Sequence, residues 1–532
     1  MKNKETILIV DNTGVPDAST LLKRRPTSRK KGSEWLPGRT NVWKEVLFKD
    51  FVFRMNRQYL LTIAVFALIE FMVFKLLYPF PDFFSDSYSY LFAAYAHLDA
   101  NIWPIGYSKF LSVFHWITHS DKALICFQYF FLEVCTVYFF LTIQYFYQFR
   151  NSTKIILFLF LFVNPVFLYI SNYVSSDALF IAISLIWASE LIWIIHHPKY
   201  YQILSQGILL LLAFTIRYNA MIYPIVTIIA FILSQQKLTN KIAGVLIGPL
   251  LILLFIFHSR TAAYSLTGTH QFPILSGWQW ANNALYIREF IPVDSSKLPS
   301  MQSKELDRIA RDFYRSVPAE QRDLPNYVAN YFIRQSQSPL KKYLNTHYRI
   351  TNEYNQVVAW GKVSPVFAEY GKYLIKTYPI AFAKHYLLVN TRNYFFPPLE
   401  KLEVYNLGMD SVWPLAQFWF KLPSPVVRVF SKELQGTILI LYPLAFGIVN
   451  LYFACTLLWF LWHEGWKKAD KSFLYAGLTV TLLLVLNFSF SVFANIIVFR
   501  YQVFPMILLL SFSFVLLDQG KMERDTNGLP AG

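Results

Sequence analysis

Ten long apolar runs limit what this chain can fold into. They lie near 59–78, 122–147, 155–172, 177–196, 203–216, 219–234, 242–257, 435–462, 472–490 and 496–517. A helix that crosses a bilayer needs about 20 mainly apolar residues, because each residue rises about 1.5 Å and the hydrocarbon layer is about 30 Å thick. Hydrophobic residues make up 55% of the 532 and charged residues only 15%, too apolar for a soluble chain of this length. The pattern predicts an α-helical polytopic membrane protein with about ten transmembrane helices. Cys126, Cys135 and Cys455 all sit inside apolar runs, where a thiol behaves as a small hydrophobe, so neither a disulfide framework nor a cysteine-based metal site is expected.

Cytoplasmic loops are enriched in Lys and Arg, so the short connections report orientation. The N-terminal segment carries LLKRRPTSRKKG, and QFRNSTK, HHPKYY, QQKLTNK, HEGWKKADK and the tail DQGKMERD also hold basic residues. With ten spans, all of them fall on one side. Merging 203–216 and 219–234 into one span across Arg217 would split them between sides. The charges therefore predict both termini inside, with Asp82, Asp86, Asp177, Arg217 and Arg500 at the outer face. The formal charge of +17 is spread over these connections and forms no aromatic-interleaved patch, which excludes nucleic acid as a partner and points to membrane lipids.

Residues 1–58 read as a basic, disordered cytoplasmic segment, too polar to offset chain entropy by burial. The first apolar run begins too deep in the chain for a cleavable signal peptide. Residues 59–257 form an N-terminal membrane region whose first outer loop is 79–121. An extracytoplasmic domain, mixed but mainly helical, is expected over 258–434, then C-terminal membrane helices over 435–517 and a cytoplasmic tail over 518–532.

The first outer loop begins YPFPDFFSDSYSYLFAAYAHLDANIWPIGYSKFL. A carboxylate at a membrane boundary, beside a water-filled cavity, can act as a general base. Asp82 follows Pro81 and reads equally as a solvated acid or a helix N-cap. Asp86 opens DSYSYLFAAYAHL, an aromatic juxtamembrane helix suited to the outer interface, which favours a functional role. Asp177 follows two serines at a helix start, where capping and the helix dipole suffice to explain it, or it supports a site. Lys109, Arg217 and Arg500 lie at span ends, where charges mark ligand pathways or snorkel to head groups. No cofactor is required: there is no Gly-x-x-x-x-Gly-Lys loop and no His-Glu-x-x-His spacing, and the one metal option is a hard divalent cation between Asp82 and Asp86.

Read in order, these pieces resemble a known family. An acidic residue with two aromatics after the first span, then Trp103, Pro104, Gly106, Tyr107 and Lys109, is similar to the large-loop membrane glycosyltransferases of the GT-C class, which include the protein O-mannosyltransferases and the aminoarabinose transferases of lipid A. NYVSSDALFIAISL, LLAFTIRYNAMIYP and IIVFRYQVFPMILLLSF resemble later motifs of the same class. The resemblance implies a GT-C-like fold and an inverting transfer of a sugar from a polyprenyl-phosphate-linked donor to a glycan, lipid or protein acceptor. It implies Asp86, with Asp82, as the base; Lys109, Arg217 and Arg500 at the donor phosphate; and Asp177 and Tyr501 in support. The expected location is a bacterial inner membrane with the active site facing the periplasm. Two other classes remain: a polysaccharide polymerase or ligase using lipid-linked sugars, marked by arginines in a large outer loop without an early acid, and a non-enzymatic transporter, marked by two related halves with broken helices.

Overall fold

The computed structural model describes residues 46–147, 149–319 and 330–527, with side chains to 519. Most of the basic 1–58 segment and the end of the 518–532 tail lie outside the described residues. Every apolar run is helical. In chain order the helices are α1 (Arg57–Leu77), α2 (Asp121–Phe146), α3 (Asn151–Asn172), α4 (Asp177–His196), α5 (Gln202–Ile216), α6 (Tyr218–Leu233), α7 (Leu238–Thr267), α8 (Leu434–Trp462), α9 (Lys471–Ala494) and α10 (Val503–Asn527). Seven of them are long and apolar enough to cross a membrane; α5, α6 and the apolar part of α10 are shorter. Among the described residues there is no β-strand, only isolated bridges between Asp82 and Tyr173 and between Ser411 and Val426.

Burial sorts the helices into a hub and a rim. Along its apolar window α4 is 83% buried, as its all-round hydrophobicity demands, whereas α1 is 17% and α7 22% buried. Leu61, Val65 and Leu68 on α1, Leu250, Leu253 and Phe257 on α7, and Leu444, Ile448 and Leu451 on α8 are exposed. So wide an apolar surface is costly in water and suits hydrocarbon.

The chain reverses at each helix, so the helix ends form two groups. At one end Lys75 Nζ donates to Asn172 Oδ1 at 2.9 Å, joining the C-terminal ends of α1 and α3. At the other, Arg150 N donates to Asp518 Oδ2 at 3.0 Å and Tyr147 Oη lies 3.1 Å from His196 Nε2.

The run expected over 242–257 is longer than the hydropathy pattern indicates. Ser259, Ala263 and Thr267 continue a buried stripe at four-residue spacing, and α7 ends only at Gly268, whose φ of 73° suits glycine. Helix therefore extends ten residues into the region assigned to the outer domain (258–267). The rest of 258–434 packs helix Ser276–Leu285 against helix Glu353–Thr377, around Trp278, Phe367 and Tyr370. Ile102, Ile496 and Val498 complete this core from the loops of the membrane helices. Within it, Asp307 takes two bonds from Arg288, at 2.6 and 3.1 Å, and one from Tyr370 at 2.9 Å.

The first outer loop forms two helices, Ser85–Tyr95 and Ile105–Ile117, packed on each other. The second exposes Trp116 and Ile117, as an interfacial helix would. The first is mostly buried, with Tyr88 stacked on Trp413 at 4.3 Å, so Asp86 points into the protein and not at the membrane surface as the sequence led us to expect.

A Cβ on Gly277 would collide with the Ser364 carbonyl, and one on Gly371 with the Trp280 backbone, so these glycines allow the two outer helices to cross closely. Gly277→Ala is expected to destabilise the detergent-solubilised protein by about 1–3 kcal/mol, the usual cost of overpacking. Gly477→Ala, whose methyl meets nothing within 4 Å, should be neutral or slightly stabilising. Equal melting temperatures for the two variants would refute the close crossing.

Candidate functional site

The site starts where α1 hands over to the first loop. Asp82 N donates to Asn172 O at 2.9 Å and Val174 N to Asp82 O at 3.0 Å, which fastens the exit of α1 to the end of α3. Ser87 Oγ then accepts from Phe84 N at 3.1 Å and starts the helix that carries Asp86 in its first turn. Asp177 opens α4, Arg217 ends α5 in extended geometry, and Arg500 lies on the 3-10 turn Phe499–Tyr501 before α10.

These residues meet in one buried chain of alternating charge. Lys401 Nζ is 2.9 Å from Asp86 Oδ2, and Arg500 Nη2 is 3.5 Å from the same oxygen. Arg500 Nη1 donates to Asp177 Oδ2 at 3.0 Å, and Arg217 closes on Asp177 Oδ1. None of the five side chains is more than 12% exposed. Aromatic rings stand in for water around the cations. The Phe84 centroid lies 4.3 Å from Lys401 and 5.0 Å from Arg500, and that of Tyr501 4.7 Å from Arg500 and 4.5 Å from Arg217. Arg500 Nη2 also donates to Tyr501 Oη at 2.9 Å.

Two acids four residues apart behave oppositely. Burial alone would raise the Asp86 pKa, but the charges of Lys401 and Arg500 outweigh it and hold the carboxyl below its usual range. Burial lowers Lys401 to about 8 in spite of Asp86. Asp82 has no cation partner, and burial pushes its pKa well above the usual range while Oδ1 accepts from Asn406 N at 2.9 Å.

Asp86, Arg217, Arg500 and Tyr501 face a cavity of about 500 Å³. Trp103 and Pro104 from the first loop, Gln279, Trp280 and Asn283 from helix Ser276–Leu285, and Phe493 and Asn495 from the end of α9 complete much of its wall. Two guanidinium groups on the wall of one cavity suit an anionic oxygen.

The structure thus brings together Asp86, Asp177, Arg217, Arg500 and Tyr501. Asp177 stands behind the two arginines, off the cavity wall, and its carboxylate serves Ser175, Arg217 and Arg500, not the helix cap considered for it. Lys109 lies elsewhere: it is 47% exposed and pairs with Asp99 at 2.6 Å, because its helix turns that face to solvent. Asp82 is also off the cavity wall, held on the Asn406 backbone. Asp86 Oδ2 already meets two cations, and no cluster of three metal-ligating side chains occurs among the described residues. Sequence reasoning missed Lys401; it lies 315 residues from its partner and no local pattern announces it.

The chain matches no family model, and no curated protein or solved structure was found similar to it.

Because Arg500 is shared by two buried carboxylates, Arg500→Met should lower stability by about 3–5 kcal/mol, the cost of leaving a buried charge unpaired. Adding Asp177→Asn to that variant should restore part of the loss, read as a thermal shift in detergent, since residues of one network couple. A double variant no better than the additive sum would refute the shared role of Arg500.

Proposed function

We propose that this protein is a membrane glycosyltransferase that moves a sugar from a polyprenyl-phosphate donor to an acceptor, with its site at the end of the helix bundle where Asp86 lies. The observation that carries the reading is the cavity, on whose wall one carboxylate and two arginines converge. A lipid phosphate is already a good leaving group, so the protein must chiefly stabilise its charge. In this reading Arg217 and Arg500, both on the cavity wall, do so. Asp86 takes the acceptor proton as the acceptor oxygen or nitrogen attacks the anomeric carbon from the face opposite the phosphate. The bond to the phosphate oxygen breaks with inversion, and the electron pair leaves with the phosphate. In this reading the site faces away from the cytoplasm, as the loop charges predict, and a bacterial inner membrane is the expected setting.

The ion pairs make the base depend on the donor. Without donor, Asp86 is held by Lys401 and Arg500 and is a weak base. A phosphate that engages Arg500 draws off part of that charge, and the Asp86 pKa rises toward the ordinary range. The acid limb of kcat/KM reports the free enzyme and that of kcat the complex, so the kcat limb should lie at the higher pH. Lys401→Met removes a counter-charge and should move the kcat/KM limb upward. Coincident limbs in the wild type would refute this dependence.

A ligase or polymerase acting on lipid-linked glycans is the second reading, favoured by the pairing of Asp86 with two cations, since such a carboxylate can serve simply to place Arg500. Asp86→Asn separates the two. As a base, Asp86 supplies about 10²–10⁴-fold in rate, so the amide should abolish measurable transfer while the protein still folds. Transfer within about threefold of wild type would assign Asp86 to positioning. The donor is to be identified as the sugar-lipid that accumulates in cells lacking the gene. If no polyprenyl-linked sugar accumulates, the transferase reading fails.

A further inference from the structure

The cavity has two chemically different walls. One carries Asp86, Arg217 and Arg500 of the charged chain. The other is built from side-chain amides on helix Ser276–Leu285 and the end of α9. Gln279 Nε2 donates to Asn283 Oδ1 at 2.9 Å, Asn330 Oδ1 at 3.2 Å and Asn495 Oδ1 at 3.3 Å. Asn283 Nδ2 in turn donates to Phe493 O and Ala494 O, both at 3.1 Å. These bonds hold the amides of Gln279, Asn283 and Asn495 in place on the wall. Trp103 and Trp280 line the same space. Fixed amides and indole rings suit a polyhydroxylated ring, whose hydroxyls need both donors and acceptors and whose C–H faces are apolar.

Charge completes the picture. Lys401, Asp86, Arg500, Asp177 and Arg217 are three cations and two carboxylates, so the cluster carries one net positive charge. The adjacent Arg334–Glu400 pair cancels itself, and Asp82 lies off the cavity wall, held on the Asn406 backbone. An unbalanced charge in a desolvated site is costly. One phosphodiester balances the cluster. A diphosphate or a uronic acid would leave an excess negative charge, and an amino sugar an excess positive one.

We infer that the donor is a lipid monophosphate diester of an uncharged sugar, and that Gln279, Asn283 and Asn495 form the wall that reads the sugar's hydroxyls. This rests on the transferase reading and narrows it. Phosphate and sugar then occupy different walls, so the two can be perturbed separately.

The test uses full-length protein in nanodiscs and measures the affinity of four lipids: polyprenyl monophosphate, polyprenyl-phosphate-glucose, polyprenyl-phosphate-aminoarabinose and polyprenyl-diphosphate-glucose. The neutral monophosphate sugar should bind at least about tenfold more tightly than the amino-sugar or diphosphate lipid, the scale set by one unbalanced charge. Gln279→Leu should weaken polyprenyl-phosphate-glucose about tenfold and leave polyprenyl monophosphate within about twofold. Gln279→Glu, nearly isosteric, adds one negative charge and should turn the preference toward the aminoarabinose lipid, which keeps the test decisive if the leucine variant does not fold. Equal affinity for the three sugar lipids, or no change of preference in Gln279→Glu, would overturn the inference while polyprenyl monophosphate still binds. If none of the four lipids binds, the transferase reading falls and this inference falls with it.

Discussion

Burying five ionised side chains at the end of an apolar bundle is the constraint around which the rest of this structure is arranged. Each carboxylate meets two cations, Asp86 with Lys401 and Arg500, Asp177 with Arg500 and Arg217. Single pairs would leave much of the desolvation cost unmet, whereas a shared guanidinium serves both acids at once. The helices adjust to this. Arg217 breaks what would otherwise be one apolar helix, taking φ −150° and ψ 130° between α5 and α6. Arg500 sits on a 3-10 turn that delays the start of α10. The short apolar helices are therefore the ones that bring arginines to the cavity.

Asp82 and Asp86 show how little spacing says about role. They follow the same helix, yet one faces cations while the other faces backbone. The difference lies in what each meets from distant sequence. Asp82 holds the amide of Asn406, where Asn406 and Leu407 take φ of 49° and 51°. Tyr405 beside them bonds to Phe80 O and, at 2.6 Å, to Asn172 Nδ2. This fastening holds the segment that carries Lys401, whose carbonyl also accepts from Tyr173 Oη at 2.6 Å. Asp82 therefore acts on Asp86 indirectly, through the strap that carries its counter-charge.

What could be read in the sequence follows the range of the interactions. The ten apolar runs were legible because hydropathy over about 20 residues is a local property, and each is a helix. Arg217 and Arg500 were legible because a charge at the end of an apolar run is expensive and needs a reason, and Asp86 because it opens an aromatic juxtamembrane helix. Lys109 met the same criterion, but its helix turns it to solvent and Asp99, and nothing in its neighbourhood distinguishes these outcomes. Lys401 lies in LEKLEVYN, a stretch that reads as ordinary loop, and its role exists only after 315 residues of chain have been folded back. The extension of α7 was missed because polar residues at its end hide a buried stripe of small ones, Ser259, Ala263 and Thr267.

The 258–434 segment is part of the candidate site and not an attachment to it. It contributes Lys401 to the charged chain and Gln279, Trp280 and Asn283 to the cavity wall. The loop between α9 and α10 belongs to both: Ile496 and Val498 pack in the outer core, Asn495 meets Gln279, and Arg500 follows a few residues on. Met221 and Phe493 line the cavity and are exposed, α6 packs against α9, and Ile225 and Val485 of those helices are exposed as well. In the proposed transferase reading, such an edge, with apolar surface leading from hydrocarbon to a polar interior, would let an isoprenoid tail stay in lipid while the phosphate and sugar enter, so that only the reacting part is desolvated.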